Sequence, residues 1–139
     1  MENQRTTMNE IFGEPIYTYS RAQAIEDGLL VDVTAWAKEA GFNVPVAMTR
    51  AAWADCVEWT ANDSKRQTFQ DEAGRLWDVL YMCFQSARRS KSSDRFFFNL
   101  YRVPRGGKGV TPRLTKLKAI IGPGDDAEPV ITILEPDED

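Results

Sequence analysis

Two aspartates and an arginine stand at helical spacing in the middle of the chain. Asp71, Arg75 and Asp78 occupy positions i, i+4 and i+7 of a segment with helical hydrophobic periodicity, so they share one helix face. A pair of carboxylates positioned by an arginine is suited to acid–base chemistry. Salt bridges on a solvent-facing helix use the same residues at the same spacing. The pattern favours a salt-bridged outer face, with acid–base chemistry as the alternative.

The chain contains no histidine, and this excludes several classes of site. Ser-His-Asp and Cys-His catalysis, imidazole general bases and nearly all zinc sites need that residue. The two cysteines, Cys56 and Cys83, lie inside helical patterns, which predicts buried free thiols. We therefore expect no catalytic residue, no cofactor and no tightly bound metal.

Two glycine-containing loops match known ligand-binding loops only in composition. The loop “RGGKG” at residues 105–109 fails as a phosphate-binding P-loop, because Gly109 stands where Ser or Thr must follow Lys108. The loop “GPGDDAE” lacks the spacing of an EF-hand, although it offers three carboxylates for a divalent cation: Asp125, Asp126 and Glu128. We interpret the first as a flexible hairpin tip and the second as a polar turn.

The net charge of −4 conceals a division between two parts of the chain. Residues 88–118 carry a net charge of +9, and the remaining residues carry −13. Aromatic residues alternate with the cations around 95–105, a pattern suited to single-stranded nucleic acid. The negative total charge argues against that function, and the cations have an alternative role in contacting the acidic part of their own chain.

Residues 102–118 form a predicted hairpin, which we call the basic hairpin. It is the predicted contact element, because a glycine-rich tip between cations can project from the domain and adapt its shape to a partner. Its predicted partner-binding residues are Arg102, Arg105, Lys108, Arg113, Lys116 and Lys118. The helix face formed by Asp71, Arg75 and Asp78 is the second candidate. The expected partner is a protein or a nucleoprotein complex, and free nucleic acid ranks below both.

The order of the predicted elements indicates an α+β fold. Residues 1–10 form a loose segment, residues 11–139 form one domain, and the acidic tail “EPDED” is solvated. A short helix over 21–27 ends at Gly28, which we expect in the left-handed region. Helices, including a long central one over 67–88, pack on a C-terminal three-stranded antiparallel meander. The segment “LLVDV” is a candidate for an added edge strand.

The long helix has an unusually wide apolar surface, which predicts contacts on more than one side. Its stripe begins at Phe69 and continues through Leu76, Leu80 and Phe84. Five side chains are expected to be largely buried: Trp53, Leu76, Trp77, Leu80 and Phe84.

No apolar run approaches the roughly 20 residues of a membrane span, and no apolar stretch near the start is typical of a secretory signal. We therefore expect a cytoplasmic protein that does not bind a membrane.

Five sequence blocks, in order, resemble an uncharacterised family of small bacterial proteins encoded on plasmids, phages and integrative elements. The resemblance extends from about residue 11 to 139 and rests on “YSRAQAIEDGLLVDVT”, “VPVAMTRAAWADCVEW”, “RQTFQDEAGRLWDVLYM”, “LYRVP” and “GPGDDAEPVITILEPDED”. It implies a mobile-element setting and no particular reaction. Small proteins in that setting are often accessory factors, and many act by binding host defences.

Three functions follow, in this order. The first is a non-catalytic interaction protein of a mobile genetic element, an inhibitor of a host defence complex in the manner of anti-CRISPR or anti-restriction proteins. The second is a nucleic-acid-binding accessory factor that uses the basic hairpin. The third is a histidine-free enzyme that uses carboxylates and arginine.

Overall fold

The computed structural model describes residues 19–90 and 94–138. The predicted loose segment, residues 1–10, lies outside these residues. The described part has an α+β fold, as predicted, with five helices and five strands. They are α1 (Arg21–Glu26), β1 (Leu30–Asp32), α2 (Thr34–Ala40), β2 (Val46–Thr49), α3 (Arg50–Cys56), α4 (Ala61–Arg66), α5 (Glu72–Arg89), β3 (Arg95–Arg102), β4 (Arg113–Pro123) and β5 (Pro129–Leu134).

The strands form one mixed sheet in the order β1-β2-β5-β4-β3. Strands β3, β4 and β5 are antiparallel neighbours, but the predicted three-stranded meander is incomplete as a description of the sheet. Strand β2 pairs in parallel with β5, and β1 pairs with β2 at the edge where “LLVDV” was expected. The four-residue β2 follows Pro45 and is too short for its alternation to distinguish a strand from an extended loop.

The core lies between the sheet and α5. Along β3 the side chains alternate strictly, with Phe96, Phe98 and Leu100 buried and the residues between them exposed. Of the five predicted core residues, Leu76 and Leu80 are buried, Trp53 and Phe84 are half-buried and pack against the core, and Trp77 is 38% exposed. Both cysteines are buried free thiols, as predicted.

Helix α1 ends at a glycine in the left-handed conformation, as predicted. Gly28 has φ +80°. Its N–H donates to Ile25 O (3.1 Å), and the N–H of Leu29 donates to Ala24 O (2.9 Å). These two bonds form the Schellman motif, which requires a residue that tolerates positive φ.

Helix α5 begins five residues later than predicted. Asp71 is its N-cap, and the carboxylate accepts from the N–H of Gly74 (2.7 Å). The expectation that Phe69 lies on the buried stripe is therefore wrong, because Phe69 precedes the helix and is 80% exposed. Even α5, which has 18 residues, does not qualify as a membrane-crossing helix, and neither does any other helix in the described ranges.

Within residues 19–90 and 94–138, the face of the sheet that points away from α5 is covered at one end only. Arg21 of α1 donates to Thr132 Oγ1 and to Ile131 O, both at 2.8 Å, which fastens α1 over β5. At the acidic end of the chain, expected to be solvated, Glu138 is half-buried, and its backbone oxygen accepts a hydrogen bond from Lys118 Nζ. The β3–β4 end of this face instead has three exposed apolar side chains, Phe97, Tyr101 and Leu114.

Candidate partner-binding groove at the sheet edge

A groove runs along the edge of the sheet, between β3 and the outer side of α5. We call it the edge groove. It contains two adjoining cavities that share Asp78, Leu100 and Tyr101. The arginine cavity has a volume of about 280 Å³ and includes Arg75 and Arg102. The tyrosine cavity has a volume of about 370 Å³, and its other lining residues are Tyr81, Met82, Asn99 and Leu114.

Arg75 is the most unusual residue of the groove, because it is a buried cation bonded only to neutral groups. It is 4% exposed. Its Nε donates to Val57 O (3.0 Å), and its Nη1 donates to Val103 O (3.0 Å) and Gln70 Oε1 (3.1 Å). Its Nη2 is buried and has no hydrogen-bond partner among the described residues.

No carboxylate of the described residues bonds Arg75 directly, although Asp55 and Asp63 attract its charge at longer range. The guanidinium lies over the ring of Trp59, 4.6 Å from the centroid, which contributes a modest cation–π attraction. Burial lowers the pKa of Arg75, but arginine stays protonated in proteins. A buried charge with an unsatisfied donor is costly, so the site is chemically prepared for an oxygen acceptor, above all a carboxylate.

Exposed apolar side chains surround both cavities. Phe69 and Tyr101, at the arginine cavity, are 80% and 66% exposed. Tyr81 and Leu114, at the tyrosine cavity, are about half exposed. Aromatic side chains are enriched where proteins bind other proteins. The groove therefore combines apolar contact area with one buried polar anchor.

The predicted helix face divides between two structural roles. Arg75 and Asp78 line the groove, whereas Asp71 caps α5. Burial raises the pKa of Asp78, and the nearby charge of Arg75 opposes this effect. Sequence spacing alone placed Arg75 on an outer face, and it missed the burial because α3 and the loop after β3 close over the guanidinium.

Half of the predicted partner-binding cations contact their own chain. Arg102 Nη2 donates to Asp55 Oδ1 at 2.8 Å, and its side chain is 15% exposed. Arg105 pairs with Asp63 at 2.6 Å and Glu58 at 3.3 Å. Lys118 is buried and bonds the acidic C-terminal turn. The alternative that the basic segment contacts the acidic part of its own chain thus holds for these three residues.

The other three cations face solvent. Lys108, Arg113 and Lys116 are exposed, and none of them forms an ion pair within residues 19–90 and 94–138. Lys116 Nζ lies 5.4 Å from the ring centroid of Phe97, on the open part of the sheet. These residues remain available for an anionic partner.

Asp63 organises the connection between α4 and the hairpin. It is 1% exposed and forms a capping box with Thr60. Its carboxylate also accepts from Arg105 and Arg66. The hydrogen bond from Arg105, together with that from the Thr60 backbone, holds the pKa of Asp63 well below its usual range. Arg105 is therefore part of the fold at this point.

The glycine-containing loop 105–109 is fastened rather than projecting freely. The amide of Gln67 donates to Pro104 O (2.9 Å) and Gly109 O (2.6 Å), and accepts from the N–H of Gly106 (2.8 Å). The “GPGDDAE” loop is likewise structural, since Asp125 accepts from the backbone of Arg21 and Ala22 at the start of α1.

A second titratable cluster joins distant parts of the chain. One ligand atom from each of Asp55, Cys56 and Glu135 lies within 4.8 Å of the others. Burial, with the adjacent Asp55, raises the pKa of Glu135 to about 8, and burial raises that of Cys56 to about 12. A protonated thiol beside a carboxylate already paired with Arg102 fits a cation poorly. Sequence reasoning missed Glu135, because no local pattern links it to Asp55.

Comparisons with known proteins place the chain in a family without a known reaction. No curated protein and no solved structure matches it. A family model matches residues 8–139, which is nearly the whole sequence. The chain therefore belongs to DUF6573, a family of unknown function.

Proposed function

We propose that this protein is a non-catalytic interaction protein that binds a partner protein in the edge groove. The observation that carries the proposal is Arg75, a buried guanidinium with an unbonded Nη2, beside a row of exposed apolar side chains. Such a combination is poorly suited to stability alone. It is well suited to an interface with an apolar contact area and a buried polar anchor.

The groove is favoured over the basic hairpin as the interface, because three of the hairpin cations already form bonds within the chain. Arg102, Arg105 and Lys118 already satisfy carboxylates or carbonyls of the same chain. A partner that used them would have to break these bonds. A partner can contact the apolar walls of the groove without breaking any intramolecular bond, because Tyr81, Tyr101 and Leu114 are exposed.

The identity of the partner follows from the setting that the resemblance implies. Many small proteins of mobile genetic elements act by binding host defences. We therefore propose a host defence complex as the target. The lack of any recognisable catalytic spacing supports a binding function over a reaction. The raised pKa of Cys56, about 12, further argues against a thiol nucleophile.

Nucleic-acid binding is the second candidate, supported by the open part of the sheet. Lys116 lies beside Phe97 there, and Tyr101 is exposed nearby. Cations beside aromatic rings suit single strands. If this function holds, the purified protein should bind an oligonucleotide alone, with an affinity that falls steeply with salt. A protein whose partner is another protein should not bind the oligonucleotide.

The test uses one groove variant and two matched controls. Tagged wild type and the variants Tyr81→Glu, Leu29→Glu and Lys108→Glu capture proteins from the natural host, and the captured partner is then purified and titrated by calorimetry. Leu29 is 56% exposed and lies before β1, away from the groove. We expect Tyr81→Glu to lose binding by at least about tenfold, while both controls bind like wild type. Loss of binding in Lys108→Glu with full binding in Tyr81→Glu would place the interface at the hairpin instead.

A further inference from the structure

We propose that the edge groove binds an extended acidic peptide, which adds to β3 as a further strand. Its carboxylate enters the arginine cavity, and an apolar side chain two residues away enters the tyrosine cavity. This inference rests on the proposed function and specifies the chemistry of the partner.

Strand β3 is a suitable template for strand addition. It pairs with β4 along its whole length, from Arg95 to Arg102. Its other edge has no strand partner among the described residues. It contains no proline. An edge of this kind offers a row of backbone donors and acceptors, which an extended peptide can satisfy while its alternate side chains occupy pockets.

The charges at the two ends of β3 disfavour a second copy of the chain as the occupant. Antiparallel pairing of two β3 strands over their full length places Arg95 of one copy opposite Arg102 of the other. Like charges directly opposite each other destabilise a strand pair, although Asp55 already offsets part of the Arg102 charge. Strand β3 also contains no Asp or Glu that a second copy could bring to Arg75. A peptide with acidic residues avoids this repulsion.

The arginine cavity explains why the peptide should carry a carboxylate. Nη2 of Arg75 has no partner, and the adjacent Nη1 donates to the neutral amide oxygen of Gln70. Gln70 lies in the loop before α5 and lines the same cavity. Because Nη2 is sealed from solvent, the peptide carboxylate reaches the guanidinium by displacing the Gln70 amide. A charged acceptor replaces a neutral one, and the resulting hydrogen bonds are stronger.

The spacing of the two cavities predicts the pattern of the peptide. They adjoin along β3, since both include Leu100 and Tyr101. Side chains two residues apart on a strand point to the same side, roughly 6.5–7 Å from each other. An acidic residue and an apolar residue in this relation can fill both cavities at once.

The experiment is a selection on the full-length protein with displayed random peptides of about nine residues, the length of a long strand. We expect enrichment of Asp or Glu two positions from Leu, Ile, Met or an aromatic residue. A synthetic peptide from the selection is then measured by fluorescence anisotropy. N-methylation of alternate backbone amides should weaken binding by at least about tenfold, because it removes donors to β3.

Gln70→Glu is the decisive variant. It supplies an internal carboxylate to Arg75, so it should weaken peptide binding by at least about tenfold while preserving or raising the melting temperature. Gln70→Leu removes the amide without adding charge and should keep the acidic preference. A melting temperature of Gln70→Glu at or above that of wild type shows that its loss of binding does not come from unfolding.

Three peptide-binding results would overturn the inference. They are a selection without acidic enrichment, a peptide that tolerates N-methylation at every amide, and unchanged binding in Gln70→Glu. A dimer that Tyr101→Glu dissociates would assign the groove to a second copy and would also overturn it. If Tyr81→Glu still abolishes capture of the host partner in that case, the proposed function stands and only the peptide mode fails.

Discussion

Two arginines of this protein have opposite surroundings. Arg105 keeps about a third of its side chain exposed and is bonded to two carboxylates, those of Asp63 and Glu58. Arg75 is almost fully buried and has only neutral acceptors. Stability alone predicts the reverse, because a buried charge needs a partner more than an exposed one does. The difference indicates that the Arg105 ion pairs stabilise the fold. In the groove, Arg75 Nη2 still lacks a hydrogen-bond acceptor.

The largest expected loss of stability comes from removing the carboxylate of Asp63, which pairs with the hairpin arginine Arg105. Asp63→Ala deletes the capping box and leaves Arg105 and Arg66 without this carboxylate. Asp71→Ala is the matched control, since Asp71 is an exposed N-cap without an ion pair in the described structure, and it should cost about 1 kcal/mol. Urea denaturation should show a clearly larger loss for Asp63→Ala than for Asp71→Ala. Equal losses would mean that the hairpin ion pairs contribute nothing to the fold.

The dependence of stability on pH separates the two carboxyl clusters. The pKa of Asp63 is lowered in the folded state, so its stabilisation is present above about pH 4 and is lost as the pH falls further. The pKa of Glu135 is raised to about 8 in the folded state, so stability falls as the pH rises from about 4.5 to about 8. Stability should therefore be highest in mildly acidic solution.

Glu135→Gln tests the alkaline limb of this profile. The variant cannot ionise, so urea unfolding between about pH 5 and about pH 8 should become nearly independent of pH. Glu39→Gln is the control and should keep the wild-type slope, because Glu39 is exposed and is not among the charges that raise the pKa of Glu135. A slope unchanged in Glu135→Gln would show that another group titrates.

A smaller effect compares two cations of the hairpin. Arg105→Gln should lower the melting temperature, because Asp63 stays buried and loses its closest cation. Lys108→Gln should leave it unchanged, since an exposed side chain without an ion pair contributes little. Thermal melts of both variants at low and high salt measure the difference. If both variants melt like wild type, the ion pairs of Arg105 contribute nothing measurable to stability.

The smallest effect is expected in the groove. Phe69→Ser and Tyr101→Ser should change the free energy of unfolding by no more than about 0.5 kcal/mol, because both rings are mostly exposed. The same substitutions should weaken partner binding. A large loss of stability would show that these rings support the fold rather than an interface.

The sequence predicts local features of this fold well and distant ones poorly. The stop at Gly28, the buried thiols and the three C-terminal strands follow from patterns a few residues long. The parallel pairing of β2 with β5 does not, because nothing within either strand specifies a partner so far along the chain. The long helix was predicted, but its start was placed too early because Phe69 continues the apolar period by coincidence.

The candidate site was predicted only in part, for a related reason. Arg75, Asp78 and Arg102 were singled out by type and spacing. Their different surroundings depend on which segments close over them, which a helical repeat cannot show. A groove that joins Tyr81 and Tyr101 was not predicted. Tyr81 stands in an apolar stretch, which predicts core, and Tyr101 was considered only within the aromatic and cationic pattern suited to nucleic acid.

The position of β5 has a consequence for how the chain acquires its structure during synthesis. The antiparallel strand pairs β1–β2 and β3–β4 are formed from earlier segments, yet within the sheet they meet only through β5, which lies between them. Until the segment near Pro129–Leu134 leaves the ribosome, both strand pairs have an unpaired edge at the position that β5 later occupies. Such long-range closure is slow, and exposed edges favour misassembly. We expect the nascent chain to depend on chaperones late in translation and to fold in a single late step.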